Sequence, residues 1–221
     1  MDWRAIVASL PALGDGLANT LQLCAIAAIC ALLWGALMAA ALMRAPRIWQ
    51  RLLQLYSGLT LALPLLVVIY LLYFVLPEYD ITFSSPTVGV IALTLYYAPY
   101  IAQVIRAAIE ALPRGQWEAC RVLGLSRREQ LRDVVLPQTL PQMLSPMVGL
   151  LIGLIKDSAL LSVVSVQEFM YAAKQAISDT YAPLEIYLTV ALCYWVMNSL
   201  IDWLARHIEH RMTRYRRGLQ N

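Results

Sequence analysis

Two adjacent charged residues, Lys156 and Asp157, stand between apolar stretches and have the chemistry to bind a charged solute. A charge in the middle of a bilayer costs about 2.5–3.5 kcal/mol on insertion scales, so such residues usually serve a function. Neighbouring side chains on a helix diverge and pair poorly with each other. A small zwitterion could therefore offer its carboxylate to Lys156 and its ammonium to Asp157. Alternatively, the two charges are structural and serve a helix end or a partner subunit.

A second set of candidate residues precedes this pair in the chain. Tyr96, Tyr100 and Gln103 recur at helical spacing within an apolar run. Their hydroxyl and amide groups could line a solute pathway, together with the charged pair and the adjacent Ser158. The alternative is packing between helices, with the hydroxyl groups satisfied by neighbouring helices.

Several kinds of catalytic chemistry are missing from the sequence. Neither of the two lysines lies in a GxxxxGK[ST] phosphate-binding loop, so we expect no ATP site. The two histidines, His207 and His210, fall in a basic tail, and no Ser/His/Asp or metal-ligand spacing occurs. The sequence therefore predicts a chain that is not an enzyme and that binds neither a metal nor a cofactor.

Composition predicts the elements that position these residues. Hydrophobic residues make up 60% of the 221 residues and charged residues 14%, whereas about a quarter of a soluble domain is charged. A membrane-spanning helix needs about 20 apolar residues. The sequence predicts an all-α membrane protein with a single transmembrane domain over 1–221. Its five spans cover approximately 16–43, 52–77, 87–112, 141–166 and 186–206.

The second and fourth spans contain prolines, which remove a backbone donor and disturb a helix. Pro64 is expected to kink the second span or to end its regular part. Three prolines between 137 and 146 are expected to delay the regular helix of the fourth span until about Met147, which puts the charged pair near mid-span. If this span is instead 138–155, the pair lies at the membrane boundary.

A polar segment, residues 114–137, separates the third and fourth spans and carries five of the chain's 17 basic residues. Gly124 lies where a helix end needs a left-handed residue, and Ser126 to Glu129 has the pattern of a capping box. The pattern predicts two short helices that meet at a tight Gly124–Leu125 corner. A DNA-binding helix-turn-helix looks similar but is disfavoured between two membrane spans, so we expect no nucleic-acid partner. Anchoring to lipid headgroups would explain the charge alone.

Three basic segments predict the orientation of the chain in the membrane. The turn at 44–51 has three arginines, segment 114–137 has five, and the tail from Arg206 has five. By the positive-inside rule these segments lie in the cytoplasm. With five spans, the C-terminus is then in the cytoplasm and the N-terminus outside.

Segment 114–137 resembles the EAA loop of permease subunits in ATP-binding-cassette importers. Glu118-Ala119-Cys120 is followed after three residues by Gly124 and, after nine more, by Val134-x-Leu136-Pro137. GQWEA, LGLS, VLPQ and KDSALLSVVSVQE resemble the polar amino acid subfamily, and the similarity covers most of the chain. The resemblance implies a type I importer permease fold in which this segment forms the coupling helix for an ATPase. The coupling residues implied are Glu118, Ala119, Cys120, Arg121, Gly124, Leu125, Leu136 and Pro137.

The same resemblance implies partners, location and substrate. It implies a multi-pass permease of the bacterial cytoplasmic membrane that imports an amino acid or a close polar derivative. Its partners would be a second permease, two ATPase subunits that hold ATP and Mg²⁺, an external substrate-binding protein and membrane lipid. Glu168 matches a family position and is expected to contribute, with Pro64, to a gate.

Two departures from the family pattern predict a heterodimer. Leu61-Ala62-Leu63-Pro64 stands where family members often have Arg-Gly-Thr-Pro, and Gln103 stands where they often have a Glu. Both changes remove a charged group from the membrane region. We therefore expect a different partner permease to supply the missing groups.

A channel or an ion-coupled carrier that works without an ATPase is the alternative function. It would need mid-span carboxylates for coupling ions, for which the chain offers Asp157 and Asp202. A membrane anchor or signalling protein would not need the residue spacing of segment 114–137.

Overall fold

A computed structural model of the protein describes the backbone of residues 3–217 and the side chains of residues 3–209. These residues form nine α-helices and no β-strand, which confirms the predicted all-α class. The helices are α1 (Trp3–Arg44), α2 (Arg47–Ala62), α3 (Leu65–Tyr70), α4 (Ser85–Glu110), α5 (Arg114–Val122), α6 (Arg127–Glu129), α7 (Leu136–Asp157), α8 (Phe169–Thr180) and α9 (Pro183–Arg217). Short π-helical turns cover Leu71–Val75 and Gln130–Val135, and 3-10 helices cover Leu76–Tyr79 and Ser158–Val164.

Within the part of the chain that the structure describes, four helical stretches are long and apolar enough to cross a membrane: Trp3–Arg44, Ser85–Glu110, Arg127–Val164 and Pro183–Glu209. A fifth crossing is formed only if α2 and the helical segment Leu65–Tyr79 count together as one broken span. Each of the five spans expected from the sequence overlaps one of these stretches.

The first helix begins earlier than the span expected from residue 16. α1 is continuous over 42 residues and contains Pro11. Its early turns are held by packing, because Leu13 lies in one apolar cluster with Phe169 and Ala173 of α8. Tertiary contact therefore extends the helix beyond the uncharged run that marks it in the sequence.

Pro64 ends the regular part of the second span, which is one of the two outcomes expected for it. α2 and the helical segment after it meet at an angle of 109°. Leu63 is extended, with φ −94° and ψ 140°, as expected for a residue that precedes proline. Beyond the break, α3 buries Leu65 and Ile69 against the main core.

The prolines of the fourth span do not delay its helix, and that expectation was wrong. α7 is regular from Leu136 to Asp157, with Pro141 and Pro146 inside it. Neighbouring helices and side-chain bonds allow proline within membrane helices, and α7 packs between α4 and α9. Lys156 and Asp157 consequently lie at the end of the α-helix, where it tightens into the 3-10 helix Ser158–Val164.

The main core lies where α1, α3, α4 and α7 meet. α1 and α4 approach closely because small residues line their contact. A Cβ atom added to Gly35 would lie 2.8 Å from the carbonyl oxygen of Ala98. Such small-residue contacts are typical of helix packing in membranes. The outer face of α9 is apolar and exposed, with Leu188, Trp195 and Trp203 each about half exposed or more.

Candidate functional site

Segment 114–137 forms a fixed corner between two helices. α5 ends in a Schellman motif, in which Leu125 N–H donates to the Cys120 carbonyl and Gly124 N–H donates to the Arg121 carbonyl, both at 3.1 Å. Gly124 has a φ of 66°, a left-handed conformation that glycine adopts without steric cost. The predicted conformation of Gly124 is confirmed.

The chain that leaves the corner is fixed by reciprocal hydrogen bonds. Ser126 N–H donates to Glu129 Oε2 at 2.8 Å, and Glu129 N–H donates to Ser126 Oγ at 3.4 Å. This arrangement confirms the predicted capping box. Gln130 Nε2 also donates to the Leu125 carbonyl at 2.7 Å. The corner is therefore closed on both sides by hydrogen bonds.

The end of the segment is tied back to α5. Leu136 and Pro137 open α7 and are exposed. One residue later, Gln138 Nε2 donates to Gln116 Oε1 at 3.1 Å, which joins α7 to α5 directly. A side-chain hydrogen bond thus links α5 to the helix that follows segment 114–137.

The outer surface of α5 combines polar and apolar groups. Among the side chains that the structure describes, the exposed Glu118 has no hydrogen-bond or ion-pair partner. Val122 and Leu123 are 87% and 73% exposed, whereas Cys120 is buried. The two apolar residues were not among the predicted coupling residues, although their position just before Gly124 could have pointed to them. Of the other predicted residues, Ala119 and Arg121 are exposed and Leu125 is half-buried.

A second group of polar side chains lies between α4 and α7. The Tyr97 hydroxyl donates to Asp157 Oδ2 at 2.8 Å. Tyr97 is buried, and Gly153 leaves room for it, because a Cβ atom at position 153 would lie 3.0 Å from the Tyr97 hydroxyl oxygen. Sequence reasoning missed Tyr97, whose only signal was its place beside Tyr96.

The predicted aromatic stripe surrounds this hydrogen bond. The ring centroids of Tyr96 and Tyr100 lie 5.7 Å apart, and they lie 5.6 and 6.1 Å from the ring of Tyr97. An apolar groove of about 250 Å³ between α1, α4 and α7 has Tyr97 in its wall. Tyr96 and Tyr100 therefore lie beside Tyr97, and Tyr97 is the residue that contacts Asp157.

Three other predicted pathway residues do not join this group. Lys156 is exposed whereas Asp157 is half-buried, so the two charges face different surroundings. Gln103 is exposed on the surface of α4. Ser158 is fully buried and its hydroxyl donates to the Ile155 carbonyl at 2.8 Å. In the single chain, the Ser158 hydroxyl therefore has its hydrogen-bond acceptor within its own helical segment.

Glu168 is the N-cap residue of α8 and is fully buried. Its carboxylate accepts hydrogen bonds from Met170 N–H at 2.8 Å and Tyr171 N–H at 2.7 Å, and so caps the helix. Burial raises the pKa of Glu168 to about 7, and these two hydrogen bonds offset only part of that effect. The next residue, Phe169, donates its N–H to Thr20 Oγ1 at 2.9 Å, which joins α8 to α1.

Within residues 3–209, no group of three His, Cys, Asp or Glu side chains is placed to hold a metal ion. The ring of His207 stacks on Trp203 at a centroid distance of 6.0 Å. The side chain of His210 and most of the basic tail lie outside the described side chains, as does the predicted cytoplasmic C-terminus.

Residues 31–214 match the family model described as the inner membrane component of binding-protein-dependent transport systems. The chain belongs to this family. This permease is therefore a multi-pass protein of a bacterial inner membrane and a subunit of a transporter. Family membership implies ATPase subunits and a substrate-binding protein as its partners.

Named relatives extend over nearly the whole permease. It is 32% identical over 202 residues to the arginine ABC transporter permease protein ArtQ of Haemophilus influenzae, covering 87% of this chain and 91% of that one. It is 30% identical over 206 residues to the L-cystine transport system permease protein TcyB of Bacillus subtilis, covering 93% of this chain and 88% of that one. It is also similar to a crystal structure of an amino acid ABC transporter with histidines, with a TM-score of 0.89, 30% identity and coverage of 96% and 99%.

These comparisons confirm two predictions made from the sequence. The permease resembles ABC importer permeases, as its EAA loop indicated, and their polar amino acid subfamily, as GQWEA, LGLS, VLPQ and KDSALLSVVSVQE indicated. Its fold is that of a type I importer permease. The roles assigned to individual residues remain predictions, and so does the heterodimer.

Proposed function

We propose that this permease moves an amino acid, or a close polar derivative of one, across the bacterial inner membrane. Two ATPase subunits bound to segment 114–137 supply the energy. The observation that carries this proposal is the fixed corner at Gly124, beside which α5 exposes Val122 and Leu123. The names of the arginine and cystine relatives support the substrate class.

The coupling role rests on surface chemistry and on rigidity. Exposed apolar groups beside charged residues mark surfaces that bind another protein. Val122 and Leu123 are suited to enter an apolar groove on an ATPase, and the Glu118 carboxylate can accept hydrogen bonds at its rim. The corner and the Gln116–Gln138 hydrogen bond then pass a displacement of α5 to α7.

The substrate pathway follows the carboxylate of Asp157 and the aromatic side chains beside it. Asp157 is suited to bind the ammonium group of an amino acid through Oδ1, while its Oδ2 accepts the hydrogen bond from the Tyr97 hydroxyl. Lys156, which is exposed in the single chain, is suited to bind the carboxylate of the substrate where the second permease packs. Tyr96 and Tyr100 line the approach to this pair.

The second permease is a different chain in this proposal. Gln103 is exposed and uncharged, and Leu61–Pro64 carries no charge at the break of the second span. A partner with charged groups at the corresponding places completes the site.

The three arginine-rich segments of this permease lie in the cytoplasm, and its N-terminus lies outside. Glu168 and Pro64 contribute to the gate.

A test of coupling replaces Val122 and Leu123 together by serine in the transporter co-expressed with its partner subunits. We expect less ATPase subunit to co-purify and uptake to fall by about tenfold or more, as when hot-spot contacts are lost. The control is Tyr79→Ser, since Tyr79 is 73% exposed like Leu123 but lies outside segment 114–137. Normal ATPase recruitment in the double variant would contradict the proposed docking surface.

A test of the pathway replaces Lys156 by methionine, which keeps the length of the side chain and removes its charge. Uptake should be abolished while the transporter still assembles with its ATPase subunits. Lys174→Met is the control, because it removes the other lysine, which lies on α8 and donates to Ser162 Oγ. Unchanged uptake kinetics in Lys156→Met would count against the assignment.

A further inference from the structure

We propose that a groove beside the corner of segment 114–137 binds the headgroup of an anionic phospholipid. The groove has a volume of about 180 Å³ and lies between the end of α1 and the helices of that segment. Its lining consists of Arg44, Trp117, Arg127, Gln130, Leu131 and Val135. The proposal stands apart from the transport function, since it concerns lipid binding alone.

The charges of the groove are suited to bind an anion. Arg44 ends α1, and Arg127 lies in α6, far along the chain, yet both side chains reach the same groove. Among the side chains of residues 3–209, neither guanidinium has a carboxylate partner. Arg132 of the same segment is by contrast paired with Asp133. Two unpaired guanidinium groups on one groove are suited to hold the oxygens of a phosphate group.

The remaining lining distinguishes a lipid from a free phosphate ion. Leu131 and the buried Val135 give the groove an apolar wall, and the half-buried indole of Trp117 adjoins it. Free phosphate would use only the arginines, whereas a phospholipid offers a phosphate together with glycerol and acyl carbons.

The position of the groove also fits a lipid. It lies where the apolar run of α1 ends and the helical stretch Arg127–Val164 enters the membrane. Tryptophan and arginine are enriched at this level, where the lipid headgroups are.

A bound headgroup would also touch the corner itself. Gln130, which lines the groove, is the residue whose side chain donates to the Leu125 carbonyl. A lipid in the groove therefore lies against the hydrogen bond that fixes the corner, and bridges the end of α1 to segment 114–137.

The experiment measures retained phosphatidylglycerol by native mass spectrometry of the complete transporter, purified from nanodiscs that contain phosphatidylglycerol or phosphatidylcholine. The test variant carries Arg44→Gln and Arg127→Gln. The control carries Arg47→Gln and Arg128→Gln, which remove the same charge from the same two segments but do not line the groove. We expect phosphatidylglycerol retention to fall about tenfold in the test variant and to be unchanged in the control.

Four outcomes would overturn the proposal. Equal losses of phosphatidylglycerol in both double variants would indicate diffuse attraction to the membrane surface. No loss of phosphatidylglycerol in either variant would show that the groove is not a lipid site. Displacement of the lipid by excess inorganic phosphate would identify a site for free anions. Release of ATPase subunits from the test variant, with lipid retention unchanged, would assign the groove to the ATPase. The first three outcomes do not bear on the proposed transport function. Release of ATPase subunits would bear on its coupling step, and unchanged lipid retention distinguishes that outcome from loss of a lipid site.

Discussion

The Tyr97 hydroxyl donates a 2.8 Å hydrogen bond to the carboxylate of Asp157, although the two residues lie 60 positions apart in the chain. This bond joins α4 to α7 and holds one oxygen of the carboxylate inside the protein. It leaves the other oxygen, Oδ1, as the candidate contact for a substrate ammonium group.

Replacing Tyr97 by phenylalanine removes only this hydroxyl. A hydrogen bond to a charged group is worth about 1.5–3 kcal/mol, so we expect the KM for uptake to rise by about tenfold or more while assembly is preserved. Tyr73→Phe is a suitable control, because it removes a hydroxyl from a half-buried tyrosine outside this group. Equal uptake by Tyr97→Phe and Tyr73→Phe would indicate that Asp157 does not belong to the substrate pathway.

Gly124→Val should uncouple ATP hydrolysis from uptake. A β-branched residue is strongly disfavoured at the φ of 66° that Gly124 adopts, so the corner must rearrange. Gly115→Val adds the same side chain to α5, and both positions have open space around an added Cβ atom. The measurement compares ATPase activity with uptake in reconstituted transporter. Normal coupling in Gly124→Val would show that the corner need not keep this shape.

Gly16→Ala should destabilise the contact between α1 and α8. The added Cβ atom would lie 2.7 Å from Ala172 Cβ and 3.2 Å from the Glu168 carbonyl oxygen. Overpacking of this kind costs about 1–3 kcal/mol, which thermal unfolding of the purified transporter would register as a lower Tm. Gly14→Ala is the matched control, since nothing lies within 4 Å of its added Cβ atom. An unchanged Tm in Gly16→Ala would mean that the two helices separate freely.

Stability should depend on pH through Glu168. Its pKa is about 7 in the folded protein, above its ordinary value of 4.5, because the carboxyl is buried. The folded state therefore holds the proton more tightly, and this contribution is complete below pH about 4.5 and is lost as the pH rises through about 7. It amounts to at most about 3–4 kcal/mol.

The variant Glu168→Gln cannot ionise and isolates this effect. As the pH rises from about 5 to about 8, the Tm of the wild type should fall relative to the Tm of Glu168→Gln. Glu78→Gln, at an exposed position, controls for a general loss of acidic charge. A difference that stays constant across this range would contradict the raised pKa.

The corner of segment 114–137 could be predicted because its causes are local. A glycine, a serine and a glutamate at fixed spacing specify a left-handed helix end and a capping box within a few residues. The side chains that the corner exposes are set by packing against the rest of the protein. The spacing that predicted Gly124 therefore left Val122 and Leu123 unnoticed.

The polar group between α4 and α7 could be predicted only in part. The recurrence of Tyr96 and Tyr100 identified a helix face, but helical spacing does not say which neighbouring residue points at another helix. Tyr97 makes the contact with Asp157 because of how α4 is rotated against α7. The prolines of α7 failed as signals for a similar reason, since packing between α4 and α9 outweighs their local preference.

The continuity of α1 has a mechanical consequence. Its 42 residues make a rod about 63 Å long at about 1.5 Å per residue, about twice the thickness of the hydrocarbon layer. Gly16, in the first half of the helix, fits closely against α8, and Arg44, its last residue, lines the basic groove. A tilt about the middle of such a rod moves its two halves in opposite directions. A tilt that displaces Arg44 therefore displaces Gly16 and its contact with α8 in the opposite direction.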